Sequence, residues 1–298
     1  FKELNLGELK KHGFEVELEY NKTLPGGFNY FVRGIFGYND NRILFRDDPV
    51  NTPTYMKDLG KPLGAQTDGV LLTGNGYYQT VDDINNYVSP ISKEKLVMGD
   101  YKFLDYNSDG VINQLDRYPI EGSLYPPITY SLTPGFTYKN FSFNVMLQGN
   151  HGKYVDYNMT FEAEFLKGDW RIHESQREFW TPYNQSVNHS TLHYSGSSSA
   201  DNLFWGGGEA DKGYDIMIQD RLWREASYIR VKKIFASYNF QSKQLQSLLG
   251  VDAMNVFLTA NNVFTFTNLL EGDPERKDFY QGFYPQMSQY NIGLKLGF

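Results

Sequence analysis

Apolar and polar residues alternate with a period of two in about seven separate stretches, and the last of them, Gln289 to Phe298, runs without a break. Tyr290, Ile292, Leu294, Leu296 and Phe298 fall on one face of an extended strand; Asn291, Gly293, Lys295 and Gly297 fall on the other. From Gly13, the residues Phe14, Val16, Leu18 and Tyr20 alternate with Glu15, Glu17 and Glu19. The Pro and Gly-Gly between Asn21 and Gly27 predict a short turn into a second strand, with Phe28, Tyr30, Val32, Phe36 and Tyr38 on one parity and Gly34 in the gap. Ile128 to Tyr138 and Phe141 to Gln148 repeat the pattern across a tight turn at Lys139-Asn140. In Tyr228 to Phe240 the parity changes midway: Ile229 and Val231 share one face, whereas Ile234, Ala236, Tyr238 and Phe240 take the other register. A β-bulge near Lys232-Lys233 accounts for the change. Asn255 to Phe266 is the remaining strand.

The connections alternate in length. They are short at Asn21 and Lys139, of medium length at Gln241, and long over 39–127, 149–225 and from Thr267 to Pro285. A transmembrane barrel with short periplasmic turns and long extracellular loops has this alternation, and its strands must show apolar rows to lipid and polar rows to a wet lumen. The predicted fold is therefore all-β: the C-terminal portion, about seven antiparallel strands, of a large transmembrane β-barrel. Seven is odd and too few to close such a barrel, so residue 1 is not expected to be the true start. The 39–127 stretch far exceeds an ordinary connection, so it is expected to be functional or to carry structure of its own.

Composition agrees. Tyr 23 and Phe 22 bring aromatics to 16 % with Gly 28 and Cys 0, which suits aromatic girdles and glycine-containing turns. A mean hydropathy of -0.52, with no apolar run near the roughly 18 residues of a spanning helix, excludes a helical membrane protein but not a barrel. The net charge of -7 and the lack of a basic stripe argue against nucleic acid. The chain opens on Phe-Lys-Glu-Leu without a charged or apolar leader.

Several boxes resemble SusC-like TonB-dependent transporters of Bacteroidetes-type outer membranes. Gly99-Asp100-Tyr101-Lys102-Phe103-Leu104-Asp105, running into Asn107-Ser108-Asp109-Gly110, is similar to that family's Gly-Asp-x-Lys and Asp-x-Asn-Gly-Asp-Gly box, with Ser108 where Gly is usual. Tyr228-Ile229-Arg230-Val231-Lys232-Lys233 resembles a family strand, Phe257 to Thr267 the penultimate strand, and Gly272-Asp273-Pro274-Glu275 the loop after it. Tyr284-Pro285 and the terminal Phe298 resemble the family's ending, and Gly13 to Leu18 its Gly-x-Glu strand. The resemblance implies a barrel of about 22 strands with an N-terminal plug, energised through TonB and capped by a SusD-like lipoprotein. This chain would supply the C-terminal third, with the plug domain and TonB box lying outside it.

Three groups of side chains bear on chemistry. Asp105, Asn107, Asp109, Gly110, Val111, Asn113 and Asp116 fit an EF-hand-like calcium loop over 105–116. Position 7 offers the Val111 carbonyl, and an Asp at position 12 makes a shorter last ligand than Glu. The same residues also suit a loop of Asx turns that holds no metal. Trp170, Trp180, Tyr183 and Trp205 in the second long loop would stack on a sugar, meet a partner, or form the loop's own core. His189 and His193, four apart, lack a catalytic Glu and read as solvated loop, as does Gly206-Gly207-Gly208 without a phosphate-loop Lys. Glu15, Glu17 and Glu19 read as a wet strand face. No catalytic constellation is present, so the protein is not expected to be an enzyme.

The function expected is TonB-dependent import of a large nutrient, a glycan first and a peptide second, across the bacterial outer membrane with a SusD-like lipoprotein. Ca2+ is the one cofactor the residues suggest. The alternative is a secreted calcium-binding β-sandwich that binds or hydrolyses carbohydrate.

Overall fold

In a computed structural model the alternating stretches become one seven-stranded sheet. The structure describes residues 7–64, 69–70, 72–74, 76–90, 96–120, 122–156, 177–187, 191, 220, 223–241, 250–269, 272–276 and 286–297. Along the chain lie β1 (Glu8–Thr23), β2 (Phe28–Phe45), α1 (Val81–Asn86), β3 (Ser89–Pro90), β4 (Val111–Ile112), β5 (Ile128–Tyr138) and β6 (Phe141–His151). They are followed by β7 (Tyr154–Asp156), β8 (Trp223–Glu225), β9 (Tyr228–Phe240), β10 (Ala253–Thr267) and β11 (Gln289–Gly297). The large sheet has the order β1-β2-β5-β6-β9-β10-β11, and every neighbouring pair is antiparallel.

The register carries the two chemistries across the whole sheet. Ile292 pairs with Leu258, then Ala236, Phe143, Phe136 and Tyr30 follow in one cross-strand row. The next row runs Asn291, Thr259, Phe235, Asn144, Gly135 and Phe31 on the opposite face. Because a slip of one residue would turn a whole strand inside out, the hydrophobic pattern specifies this pairing. The apolar face stands open, with Leu18 70 % and Ile292 76 % exposed. A soluble sandwich would bury those rows between two sheets; among the described residues no second large sheet lies in the fold. The expectation of an all-β fold with seven antiparallel strands is borne out.

Two predicted details meet the structure differently. The parity change falls where expected: the pairing shifts between Met146 and Leu147 opposite β9, and again between Asn261 and Phe264 opposite β9. Lys232 is the residue left over on β9, and Asn262 adopts φ 52° on β10. β1 and β2, however, extend beyond the alternation, from Glu8 and up to Phe45. Leu9 to His12 pair with Ile43 to Asp40 through the backbone ladder, although Lys10, Lys11 and His12 carry no apolar period. Ladder hydrogen bonds continue past the alternation, so side-chain pattern alone stops the strands early.

On the polar face some rings lie over glycines of the next strand. A Cβ at Gly293 would meet the Phe257 ring at 2.1 Å, and one at Gly135 the Phe31 ring at 2.5 Å. These glycines are places for a neighbour's ring.

The buried core belongs to the long connection after β2. Tyr101, Phe103 and Ile112 are buried and are packed by Tyr77, Tyr87, Val88 and Leu96. Thr80 caps α1 through a reciprocal pair with Asp83. Lys102 reaches Asp83 at 2.9 Å and lies over the Tyr78 and Tyr87 rings.

The open apolar face generates a test. Ile292→Arg near mid-strand is expected to lower stability by about 2–4 kcal/mol in a bilayer, the cost of a cation on a lipid face. Asn291→Arg on the other face is expected to stay within about 0.5 kcal/mol. Denaturant titration of the reconstituted full-length protein measures both, and equal effects would sink the assignment of faces.

Candidate functional site

The polar face of the sheet is built of short neutral side chains. β5 contributes Thr129, Ser131, Thr133 and Thr137; β6 adds Ser142, Asn144 and Gln148; β10 and β11 add Asn255, Thr259 and Asn291. Glu15, Glu17 and Glu19 line this face at the β1 edge, and Glu17 pairs with Arg33 at 2.5 Å between exposed side chains.

At the start of β9 the face changes character. Arg230 sits on the polar parity opposite Gln148 and Thr265 and is 2 % exposed. Its Nη2 donates to both Asp273 oxygens, at 2.8 and 2.9 Å, and Nη1 reaches Gln286 at 3.0 Å and Glu275 at 2.9 Å. Nε donates to Thr265 at 2.7 Å. Each of the three guanidinium nitrogens thus has an acceptor, and two carboxylates balance the charge, which is what a buried arginine requires. Lys232, freed by the bulge, binds Glu275 at 3.0 Å, and the Tyr228 hydroxyl donates to the same carboxylate. Lys153, 4 % exposed, donates to the carbonyls of Pro274 and Arg276. Pro274 is among the most deeply buried side chains. The segment 272–276 is therefore a strap, clamped onto the polar face by three cations from the two strand ends flanking the second long loop.

The electrostatics follow from this packing. Burial pushes the Glu275 carboxyl up, but the Lys232 hydrogen bond and the charges of Arg230 and Lys232 outweigh it and hold the group below the usual range. Sequence reading took Arg230 and Asp273 as parts of separate boxes and did not join them. The available signal was a guanidinium on the polar parity of a strand mouth, beside an Asp-Pro-Glu segment.

The predicted metal-loop residues come together in part. Asp105 accepts from the N–H groups of Asp109 and Gly110, Asn107 from Asp109, and Asp109 from Val111. Gly110 takes φ 86°, which makes the sharp turn. Asp116 is fully buried: Oδ1 accepts from Tyr106 and Asn107, and Oδ2 from Asn113 at 2.7 Å. Burial pushes this carboxyl up, against the pull of those backbone donors. Oδ2 keeps one free lone pair, so Asp116 has room for a single bond to a cation. The Val111 carbonyl is met by the Asn113 amide at 3.3 Å. Among the described residues no three His, Cys, Asp or Glu side chains are grouped as a metal would need. The cation fit therefore rests on Asp105, Asp109, the Asn107 amide and the Val111 carbonyl.

The aromatic candidates separate. Trp180 is 2 % exposed and packs on Gly99, where a Cβ would come within 2.4 Å of the indole. It takes the last of the three uses weighed for it, the loops' own core, and is not a surface stacking ring. Tyr183 is 100 % exposed at the tip of the Thr181 to Asn184 turn. Trp170, Trp205, His189, His193, Gly206 to Gly208 and Phe298 lie outside the described residues. The two long loops meet through Thr73 with Asp220, Tyr77 with Val187, and Gly99 with Thr191.

No family model matches the chain. It is 24 % identical to TonB-dependent receptor P26 of Formosa agariphila, over 99 % of this chain and 30 % of that protein. With TonB-dependent receptor P39 of the same organism the identity is 21 %, over 98 % and 29 %. The solved RagAB peptide transporter superposes with a TM-score of 0.64 at 18 % identity, over 98 % of this chain and 29 % of that one. The RagAB peptide importer in its closed-closed state gives 0.60 at 17 %, over 98 % and 30 %. The chain spans about 30 % of the length of the curated relatives it matches. The resemblance to SusC-like TonB-dependent transporters is borne out, and the fold is that of a portion of such a barrel.

The strap is open to test. Arg230→Ala leaves two carboxylates without their guanidinium and is expected to cost about 3–5 kcal/mol, read as a lower unfolding midpoint and faster proteolysis of 268–288. Arg230→Lys is expected to recover only part of this, because an ammonium lacks the planar fork. The Glu275 contribution is fully present above the ordinary glutamate pKa of about 4.3 and is lost as pH falls through its lower folded value. Proteolysis of the strap should therefore accelerate only below about pH 4.3; a rise at pH 6 would contradict the assignment.

Proposed function

We propose that the protein containing this chain imports a large polar nutrient across the bacterial outer membrane, driven through TonB and supplied by a SusD-like surface lipoprotein. The observation that carries this is the two-faced sheet: one face with apolar rows that stand open at Leu18 and Ile292, the other rich in Thr, Ser, Asn and Gln and strapped at one end. Such a wall separates hydrocarbon from a wet passage. The similar proteins, TonB-dependent receptors and a peptide transporter, support the same reading. The long regions 39–127 and 149–225 would lie outside the cell, where their shared core and the exposed Tyr183 face substrate and lipoprotein. The chemistry is binding and gated passage, with no bond broken.

For the substrate, an oligosaccharide fits first, because neutral hydroxyl and amide rows exchange hydrogen bonds with sugar hydroxyls. A peptide is second, the cargo of the solved neighbours. Deleting the full-length gene is expected to abolish growth on the cognate oligosaccharide while leaving monosaccharide growth intact, and a protonophore should reproduce the defect. Unchanged oligosaccharide and peptide uptake in the deletion strain would refute the importer assignment.

The Asp105 loop is proposed to take Ca2+ through Asp105, Asp109, the Asn107 amide and the Val111 carbonyl, with Asp116 holding the turn through its backbone bonds. Hard oxygen donors on a tight glycine turn suit that ion. Calcium is expected to raise the melting temperature of the full-length protein by a few degrees, as binding to the folded state alone must. Asp105→Ala with Asp109→Ala should erase that rise. The same rise in the double variant would mean the ion binds elsewhere.

A further inference from the structure

The apolar face is interrupted at Pro134. Proline offers no N–H to a ladder, and the pairing of β5 with β6 lapses at Thr133 and Pro134 while the register on either side is unchanged, Leu132 with Leu147 and Gly135 with Asn144. The small ring stands in a row of larger side chains. The result is an open groove of about 280 Å³, rimmed by Phe28, Tyr30, Phe136 and Phe143 and floored by Pro134 and Val145. Phe28 stacks on Phe136 at 5.4 Å, which gives the groove one rigid wall.

The groove lies toward the short-turn end of the sheet, and that end is cationic. Lys22, on the parity of the apolar row, pairs with Tyr30 on the rim. Lys139, in the turn between β5 and β6, holds its ammonium 5.3 Å from the Tyr138 ring, and that ring neighbours Phe28 at 6.0 Å. Neither 20–30 nor 136–143 contains an acidic residue. Among the described residues neither lysine is recorded in an ion pair. An apolar slot with aromatic rims and two cations at its mouth complements one chemistry: an acyl chain joined to an anionic head.

We propose that the groove holds one acyl chain of an anionic phospholipid from the leaflet on the short-turn side, with its phosphate between Lys22 and Lys139. The proposal rests on the transporter reading, in which the apolar face meets lipid and the short turns are periplasmic. A bound lipid would fill the defect that Pro134 leaves in the wall.

The test uses the full-length protein purified in detergent, incubated with phosphatidylglycerol or phosphatidylethanolamine and analysed by native mass spectrometry. One phosphatidylglycerol is expected to stay bound under conditions that strip phosphatidylethanolamine. Lys22→Ala with Lys139→Ala should reduce its retention by about tenfold, since each basic residue adds attraction for an anionic head. Val145→Trp, which fills the floor, should abolish retention of either lipid. Heat-modifiable gel migration identifies variants that still fold, and the comparison is made on those alone. Equal retention of the two lipids, unchanged retention in both variants, or a second copy of the chain in place of lipid would each overturn the proposal. Membrane fractionation of the same cells separates the two readings. Recovery in the outer membrane with unselective lipid binding overturns the lipid site alone, whereas recovery elsewhere overturns the transporter reading with it.

Discussion

The constraint on which the rest depends is that a sheet facing hydrocarbon has no water to satisfy its backbone. Every N–H and C=O in the wall must be paired by a neighbouring strand. That requirement explains why six successive antiparallel pairings run almost without lapse across strands far apart in sequence. It also explains why the side chains are so simple: once the ladder sets the register, period two alone decides which residue meets lipid. The stability of this wall lies in its strand pairing, while the densely buried residues gather in the long connections.

The bulge at Lys232 shows what a departure from period two accomplishes. Before it, Arg230 lies on the polar face, and after it Lys233 and Phe235 do. Arg230 and Lys232, two apart, would share a face in a regular strand as well, and both reach Glu275. What the extra residue adds is Lys233, a third cation turned onto the polar face at the cost of one ladder position. Balanced charge, with an acceptor at each guanidinium nitrogen, is what makes burial of Arg230 tolerable.

The seven strands and their facing were legible because alternation is a local signal. The bulge was legible too, since a parity change within a strand has few other causes. The extra length of β1 and β2 was not, because Lys10, Lys11 and His12 carry no apolar marker of the ladder they sit in. The strap was illegible for a different reason: Arg230 and Asp273 are 43 residues apart, and nothing local in either segment names its partner. The Asp105 loop was legible as a turn network. Sequence did not show that Asp116 spends most of its lone pairs on backbone donors. Which use Trp180 takes was not legible, because a tryptophan in a long loop looks the same whether it is offered to a ligand or seated on a glycine, and Gly99 lies 81 residues away in the other loop.

The aromatic content has three physical uses, and separating them narrows where a substrate can be met. One group forms the outward girdle, as in Phe14 with Tyr38 and Phe28 with Phe136. A second group, Tyr77, Tyr101 and Phe103 with Trp180, makes a core for connections too long to be held by the sheet. A third, Phe31 and Phe257, roofs glycines on the polar face. The first group faces outward and the other two are already packed, so under the proposed function none of them is a platform for a sugar or peptide. Tyr183, wholly exposed on a turn closed by two backbone hydrogen bonds between Thr181 and Asn184, is held outward by its backbone rather than by neighbours. A ring presented in that way loses little on binding, since the turn is already formed in the free protein. Under the proposed import function, recognition by this part of the wall would fall to Tyr183 and to the hydroxyl and amide rows, whose register the ladder fixes in advance.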